Sequence, residues 1–273
     1  MSISNKSLFL VEEAARNAGK IARTAFLNSS MKKRYKSPKD LVTDIDEKVE
    51  KMLIKDLGEI DHVPFLSEEF NPEKEINEPL WIVDPIDGTT NFASGIAPFC
   101  ISIGHWNGEC VDMGVCYLPI TDEMFTASLG NGAFLNGKPI SVDSENDPMK
   151  TIAATGFADI THNSKKTTLN VFNSIIMKTR AVRRLGSAAT DLVYTACGKF
   201  SFFYEAGLSP WDVAAGSLIV KEAGGIVSDF SGGENYMEGK TIIASNPKIY
   251  GFIKNEIDRN YSEKQTEMEE KNG

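Results

Sequence analysis

Apolar residues return at three- and four-residue steps across residues 5–27: Leu8, Val11, Ala15, Ala18, Ile21, Ala22, Ala25 and Phe26. That spacing predicts an amphipathic helix. Residues 29–39 are polar and basic, with a break at Ser37-Pro38, and read as a loop. Thr43 is placed to cap a second helix over residues 44–57, whose buried stripe is Val49, Met52 and Leu53. Short apolar runs follow at 63–66 and from Leu80 to Val83. Residues 99–106, 110–118 and 123–127 read as antiparallel strands. Asn107-Gly108 predicts a hairpin turn, and Asn136-Gly137 another.

The polar stretch 143–150 is the best boundary between two lobes, 1–146 and 147–262, of one domain. Beyond it strands and helices alternate. Strands are expected at 151–155, 183–185, 200–204, 226–229 and 241–244, and helices at 165–177, 187–197, 212–223 and 247–257. Gly198 and Gly224-Gly225 stop two of these helices. Residues 259–273 are almost all polar or charged and are expected to fray. The pattern suggests two sheets with helices packed outside and between them.

At 273 residues the chain buries a sizeable core, and its 41% hydrophobic content is ordinary for a globular protein. The net charge of −9 argues against direct nucleic-acid binding, which needs clustered cations. Basic clusters at Lys32-Lys33-Arg34 and at Arg180, Arg183 and Arg184 read first as solvated surface. The four cysteines form no C-x-x-C pair and the three histidines have no ligand spacing, so neither disulfides nor zinc are expected. The sequence shows no signal peptide and no apolar run of membrane-spanning length; a reducing cytoplasm fits.

One turn changes the picture. The run Leu80-Trp81-Ile82-Val83 ends in Asp84-Pro85-Ile86-Asp87-Gly88-Thr89-Thr90. Carboxylates closing a buried strand are costly unless paired or bound to a metal. Hard cations such as Mg²⁺ suit such a pair, because they take carboxylate oxygens and keep positions for water and phosphate. Pro85 stiffens the turn, Gly88 lets backbone approach an anion, and Thr89-Thr90 can begin a helix whose free N–H groups face a phosphate. An Asp-rich surface turn is the competing account. Asp212 opens a helical pattern, where it serves either as a plain cap or as a further ligand. Asp46 sits in the first turn of the second helix, where helix-start stabilisation explains it equally well. Glu68-Glu69 precedes an acidic loop, and Glu69 reads as solvated.

Together these residues carry a resemblance. The stretch from Trp81 to Phe92 and the stretch from Trp211 to Gly225 resemble the two signature segments of the inositol monophosphatase family. Asp40-Leu41-Val42-Thr43-Asp44-Ile45-Asp46, Ser67-Glu68-Glu69 and Leu185-Gly186-Ser187-Ala188-Ala189 are also similar to that family, and the likeness runs from about residue 8 to residue 257. It implies an α+β fold, a layered α-β-α-β-α sandwich. It implies hydrolysis of a small-molecule phosphate monoester with two or three Mg²⁺, Mn²⁺ being a possible substitute, and no covalent intermediate. Metal ligands would be Glu68, Asp84, the Ile86 carbonyl, Asp87 and Asp212. Thr89 and Asp46 would orient or deprotonate water, Gly88 and Thr89 would cradle phosphate, and Gly186, Ser187, Ala188, Glu205 and Asp212 would face substrate. Lithium sensitivity and a homodimer are further expectations. The Thr89-Thr90-Asn91-Phe92 continuation favours the inositol and sugar phosphatase branch, whereas Pro210 and the basic stretch with Lys36 depart from the usual pattern. Two alternatives accompany this reading: fructose-1,6-bisphosphatase activity, and a regulatory binding role toward transcription or ribosomal machinery.

Overall fold

The computed structural model describes residues 5–37, 40–158 and 167–261. Helices α1 (Asn5–Asn28) and α2 (Asp44–Gly58) form one outer layer. Their apolar stripes, including Val11, Ala15, Ala18, Val49 and Leu53, bury against Trp81, Val83, Ile101, Ile103 and Val115. Between them lies a hairpin of β1 (Lys33–Ser37) and β2 (Asp40–Thr43), paired antiparallel. The expected loop at 29–39 is therefore corrected in part. Lys33-Arg34-Tyr35 shows no apolar alternation, because this strand rests on ladder hydrogen bonds rather than on a buried face.

Seven strands make the large sheet: β3 (Phe65–Ser67), β4 (Leu80–Asp87), β5 (Cys100–Trp106), β6 (Val111–Leu118), β7 (Glu123–Ser128), β8 (Ala133–Leu135) and β9 (Lys138–Pro139), neighbours in that order. Only β3 and β4 run parallel. A short helix, α3 (Thr89–Ser94), follows β4. The turn after β5 is longer than a two-residue hairpin: Asn107 Oδ1 accepts from the Glu109 and Cys110 amides. Asn136 and Gly137 both take positive φ, 49° and 74°, as a tight primed turn requires.

The small sheet has the order β11 (Ala181–Arg183), β10 (Ile152–Thr155), β12 (Phe202–Ala206), β14 (Thr241–Ser245), β13 (Ile226–Ser228). Sequence reading placed β11 and β12 about two residues away from these bounds. Both start next to Arg, Ser or Phe residues that carry no clear alternation. Helices α5 (Ala188–Ala196) and α6 (Pro210–Glu222) lie between the sheets and are buried almost throughout. Helices α4 (Thr167–Ile176) and α7 (Tyr250–Asn260) cover the outer face of the small sheet through Val171, Ile175, Ile253 and Ile257. Residues 259–260 are helical rather than frayed. The expected helix start at 165–166 and the tail at 262–273 lie outside the described residues. The layers thus run α-β-α-β-α, as expected, and the middle core joins residues of both sheets.

Small residues set how close α6 comes to the large sheet. Gly104 and Gly114 oppose each other on β5 and β6. A Cβ on Gly104 would lie 3.1 Å from the Ala214 methyl, and one on Gly114 would lie 2.6 Å from the Ala215 carbonyl oxygen. Only glycine leaves room for that approach. All four cysteines are unpaired thiols. No helix among the described residues is long and apolar enough to cross a membrane.

Candidate active site

The site starts from a fault in the β4–β5 ladder. Asp84 pairs with Ser102, but Asp87 pairs with Cys100, so β4 carries one extra residue. In a regular strand, residues three apart face opposite sides. The bulge reverses the alternation: Val83 and Ile86 both pack in the α1/α2 core. Asp84 and Asp87 consequently share the face toward α5 and α6. The surface-turn account is excluded, since both are buried.

Asp212 arrives on α6. Ser209 occupies the cap position, and Asp212 is the third helical residue, its Oδ2 accepting from the Ser209 amide at 2.7 Å. Asp212 is therefore not the cap itself; it fixes the capping residue and still reaches the strand. Ser102 Oγ donates to the Trp211 carbonyl at 3.1 Å, which ties the start of α6 to β5. One oxygen each of Asp84, Asp87 and Asp212 lies within 4.8 Å of the others. Carboxylate oxygens around one Mg²⁺ are separated by up to about 4 Å, so a small closure suffices.

Electrostatics sharpen the point. Burial, then the charges of Glu68, Asp87, Asp212 and Asp46, push the Asp84 carboxyl well above its ordinary range. Burial also raises Asp87, although hydrogen bonds from Ser187 and the start of α5 oppose the shift. Burial and the charge of Asp87 raise Asp212 to about 7. Like charges held this close need either protons or cations. The donor set is all oxygen, hard and partly open to a pocket of 580 Å³, which fits Mg²⁺ better than a thiolate- or imidazole-preferring metal. Glu68 and Ile86 line the same pocket.

Asp87 also anchors the neighbouring helix. Its Oδ2 accepts from Ser187 Oγ at 2.5 Å and from the Ala189 amide at 2.8 Å. Ser187 is the N-cap of α5, so Gly186, Ser187 and Ala188 are drawn to the pocket wall. Gly88, with φ 94°, sits where a Cβ would meet the Gly186 carbonyl oxygen at 3.0 Å.

Thr89 and Asp46 meet from different layers. Thr89 Oγ1 lies 3.2 Å from Asp46 Oδ1 and 3.0 Å from the Ile86 carbonyl oxygen, both acceptors. Asp46 Oδ2 accepts from the Thr43 amide at 2.9 Å and the Thr43 hydroxyl at 2.5 Å. Asp46 thus stabilises the helix start and also faces Thr89; the two accounts of this residue coexist. Burial raises its carboxyl to about 6, against hydrogen bonds from Thr43.

Glu205 lies on β12 at the opposite wall. Burial raises it to about 8, with the Ala158 amide opposing the shift and Asp212 and Asp87 adding to it. A Cβ at Gly156 would collide with its carboxylate, so a side chain there would displace Glu205 from this position. The side chain of Lys36 lies outside the described set.

Sequence reasoning missed three supporting residues. Glu50, fully buried, accepts from the Glu69 and Phe70 amides at 3.0 and 2.9 Å and so holds the turn carrying Glu68. Its four-residue spacing from Asp46 was the available signal. Asn91 Nδ2 donates to the Pro98 and Leu185 carbonyls at 2.9 and 2.6 Å, joining α3 to the Gly186 segment. Asp191, fully buried on α5, has its carboxyl pushed well up by burial and by the charges of Glu205 and Asp87. Nothing local marked either residue.

Comparison with known proteins agrees with this geometry. The pattern of the inositol monophosphatase family matches residues 5–265. Inositol monophosphatase 1 of Solanum lycopersicum is 40% identical over 246 residues, covering 87% of this chain and 89% of its own. The Nus factor SuhB of Escherichia coli is 38% identical over 245 residues, covering 89% and 92%. Among solved structures, the extragenic suppressor protein suhB of Bartonella henselae matches with a TM-score of 0.85 at 34% identity, covering 92% and 97%. The Thermotoga maritima IMPase matches with a TM-score of 0.82 at 33% identity, covering 91% and 95%. This chain belongs to the inositol monophosphatase family.

Proposed function

We propose that this protein is a Mg²⁺-dependent hydrolase of polyol and sugar phosphate monoesters, with inositol 1-phosphate as its reference substrate. The observation that carries the reading is the convergence of Asp84, Asp87 and Asp212 beside the Thr89–Asp46 pair. Glu68, Asp84, the Ile86 carbonyl, Asp87 and Asp212 would hold two or three Mg²⁺, with Mn²⁺ able to replace them. Bound there, the ions supply Lewis-acid neutralisation of phosphate charge and a lowered water pKa.

The chain's own residues supply positioning and a proton path. Thr89 Oγ1 donates toward Asp46 Oδ1 and keeps lone pairs for an attacking water. As the water loses its proton to Thr89 Oγ1, the threonine proton passes to Asp46 Oδ1. Asp46, at about 6, is a stronger base than an exposed aspartate yet remains ionised at neutral pH. The Gly88 and Thr89 amides face the phosphoryl oxygens. Glu205 uses one oxygen on the Ala158 amide and offers the other to a substrate hydroxyl. No side-chain nucleophile takes part.

The test is phosphate release from inositol 1-phosphate with Mg²⁺, with EDTA, and with added Li⁺. Mg²⁺-dependent turnover that Li⁺ suppresses is expected. No release from any polyol or sugar phosphate refutes the reading.

The name of the E. coli relative, a Nus factor, favours a second reading, a separate binding role toward a protein partner. Exposed Arg180 and Arg183 flank and end the edge strand β11 of the small sheet. An Asp87→Asn variant that is inactive but still captures such a partner would support it; binding that tracks activity would count against it.

A further inference from the structure

A second cavity, of 270 Å³, lies at the opposite end of α6 from Asp212. Lys221, in the last turn of that helix, stands roughly 14 Å along the axis from Asp212. Leu218 and Lys221 supply one wall, Trp106 and Val111 beside the β5–β6 turn another, and Tyr236 and Met237 between β13 and β14 a third. No residue lines both this cavity and the active-site pocket. Val111, Leu218, Tyr236 and Met237 are buried in the middle core, and Trp106 packs against it, so the interior suits a flat apolar body.

Two features ask for more than an apolar body. Trp106 Nε1 is sealed from solvent and has no partner among the described residues. A buried N–H left in that state is costly, and an acceptor on a ligand in the cavity would satisfy it. The second feature is charge. Four carboxylates line the cavity, Glu109, Glu222, Glu234 and Glu238, against one cation, Lys221. Glu222 is engaged, its Oε1 accepting from the Gly130 amide at 2.8 Å and its Oε2 from the Gly132 amide at 2.7 Å. Lys221 is engaged too, its Nζ standing 5.0 Å from the centre of the Tyr236 ring. Glu109, Glu234 and Glu238 are exposed, and no ion pair among the described residues neutralises them. An adjoining cavity shares Glu109 and Leu129 and adds no lysine or arginine to its lining. The local field therefore repels an anion and draws a cation.

We infer that this cavity binds a small aromatic amine. The ring lies among Trp106, Tyr236 and Met237, an acceptor on the ligand takes the Trp106 N–H, and the ammonium meets Glu109, Glu234 and Glu238. The site is separate from the phosphate chemistry and stands whether or not the phosphatase reading does.

Three probes that share one ring separate these parts. Tyramine carries the ammonium and an acceptor, phenethylamine the ammonium alone, and 4-hydroxyphenylacetate the acceptor with a negative charge. The chain has three tryptophans, and Trp106→Phe assigns the indole N–H resonance of Trp106 among them. Tyramine should move that resonance and bind, by calorimetry, with a Kd of about 1 mM or tighter. Phenethylamine should bind about threefold to tenfold more weakly, the size of one hydrogen bond, and Trp106→Phe should close that gap. 4-Hydroxyphenylacetate should bind at least about tenfold more weakly than tyramine. Glu109→Gln with Glu234→Gln and Glu238→Gln should bring those two probes together; all three positions are exposed, so the melting temperature should hardly change. A Trp106 resonance that neither amine moves overturns the site, as does equal binding of tyramine and 4-hydroxyphenylacetate. A triple variant that folds and keeps the wild-type preference for tyramine overturns it as well.

Discussion

Two buried acidic regions of this molecule have opposite solutions. On α7, Glu256 is only 4% exposed, and the protein satisfies it: Lys178 Nζ donates at 2.7 Å and Ser174 Oγ at 2.5 Å. Burial alone would raise its carboxyl, but Lys178 and Ser174 outweigh burial and hold it below the usual range. In the pocket, Asp84 is 2% exposed, and its charged neighbours are acidic: burial and four other carboxylates push it well up. The same side-chain chemistry thus closes one site and leaves the other needing charge from solution. A buried carboxylate with a built-in cation contributes to the fold. Buried carboxylates facing one another cost stability until a ligand arrives.

The strongest way to break this comparison is Asp84→Asn. It should lower Mg²⁺-dependent phosphate release by about 10²–10³-fold, the loss typical of removing one preorganised electrostatic group. In EDTA the variant should melt at a higher temperature than wild type, because an uncompensated buried charge is gone. A lower melting temperature in EDTA would place Asp84 in the same class as Glu256. Next in size, Thr89→Ala should reduce kcat by about 10²-fold, at the lower end for a proton-transfer group, while Thr89→Ser keeps most of it. Equal kcat for the alanine variant would remove Thr89 from the proton path.

Glu256→Gln tests the other side. It should cost about 1–3 kcal/mol in urea unfolding, since Lys178 loses its charged partner, and it should leave phosphate release unchanged. The smallest effect concerns pH. Burial raises Glu205 from 4.5 to about 8. Between those values the folded chain keeps a proton that the unfolded chain has released, so the metal-free fold loses stability as pH rises. Glu205→Gln removes that loss, and its melting-temperature advantage in EDTA should grow from about pH 5 to about pH 8. Glu256 has the reverse sign: its contribution is present above the ordinary glutamate range and falls away on acidification. An advantage for Glu205→Gln that stays constant with pH would show that Glu205 carries no such proton.

What could be read from the chain alone was whatever local spacing encodes. The three-and-four periodicity of Leu8 to Phe26 marked α1, and the long motif around Asp84 and Asp87 marked the site and the family. Asn136-Gly137 marked its turn because positive φ restricts the choice of residue. The β1–β2 hairpin escaped notice because its pairing partners, not an apolar pattern, create it. Glu50 and Asn91 escaped because their partners are distant in sequence, at Glu69 and Phe70 and at Leu185. Whether Asp212 was a helix-start residue or a candidate ligand was open in one dimension. Tertiary structure gives it both positions: Asp212 accepts from the Ser209 amide at the start of α6, while a one-residue bulge turns Asp87 to the side of Asp84, and Gly104 and Gly114 let α6 bring Asp212 within 4.8 Å of them. Sequence alone determined which carboxylates were available and which elements carry them, because helices and turns depend on near neighbours. Only the packed fold determined which carboxylates share one charge problem, because that depends on distances between layers that no local pattern records.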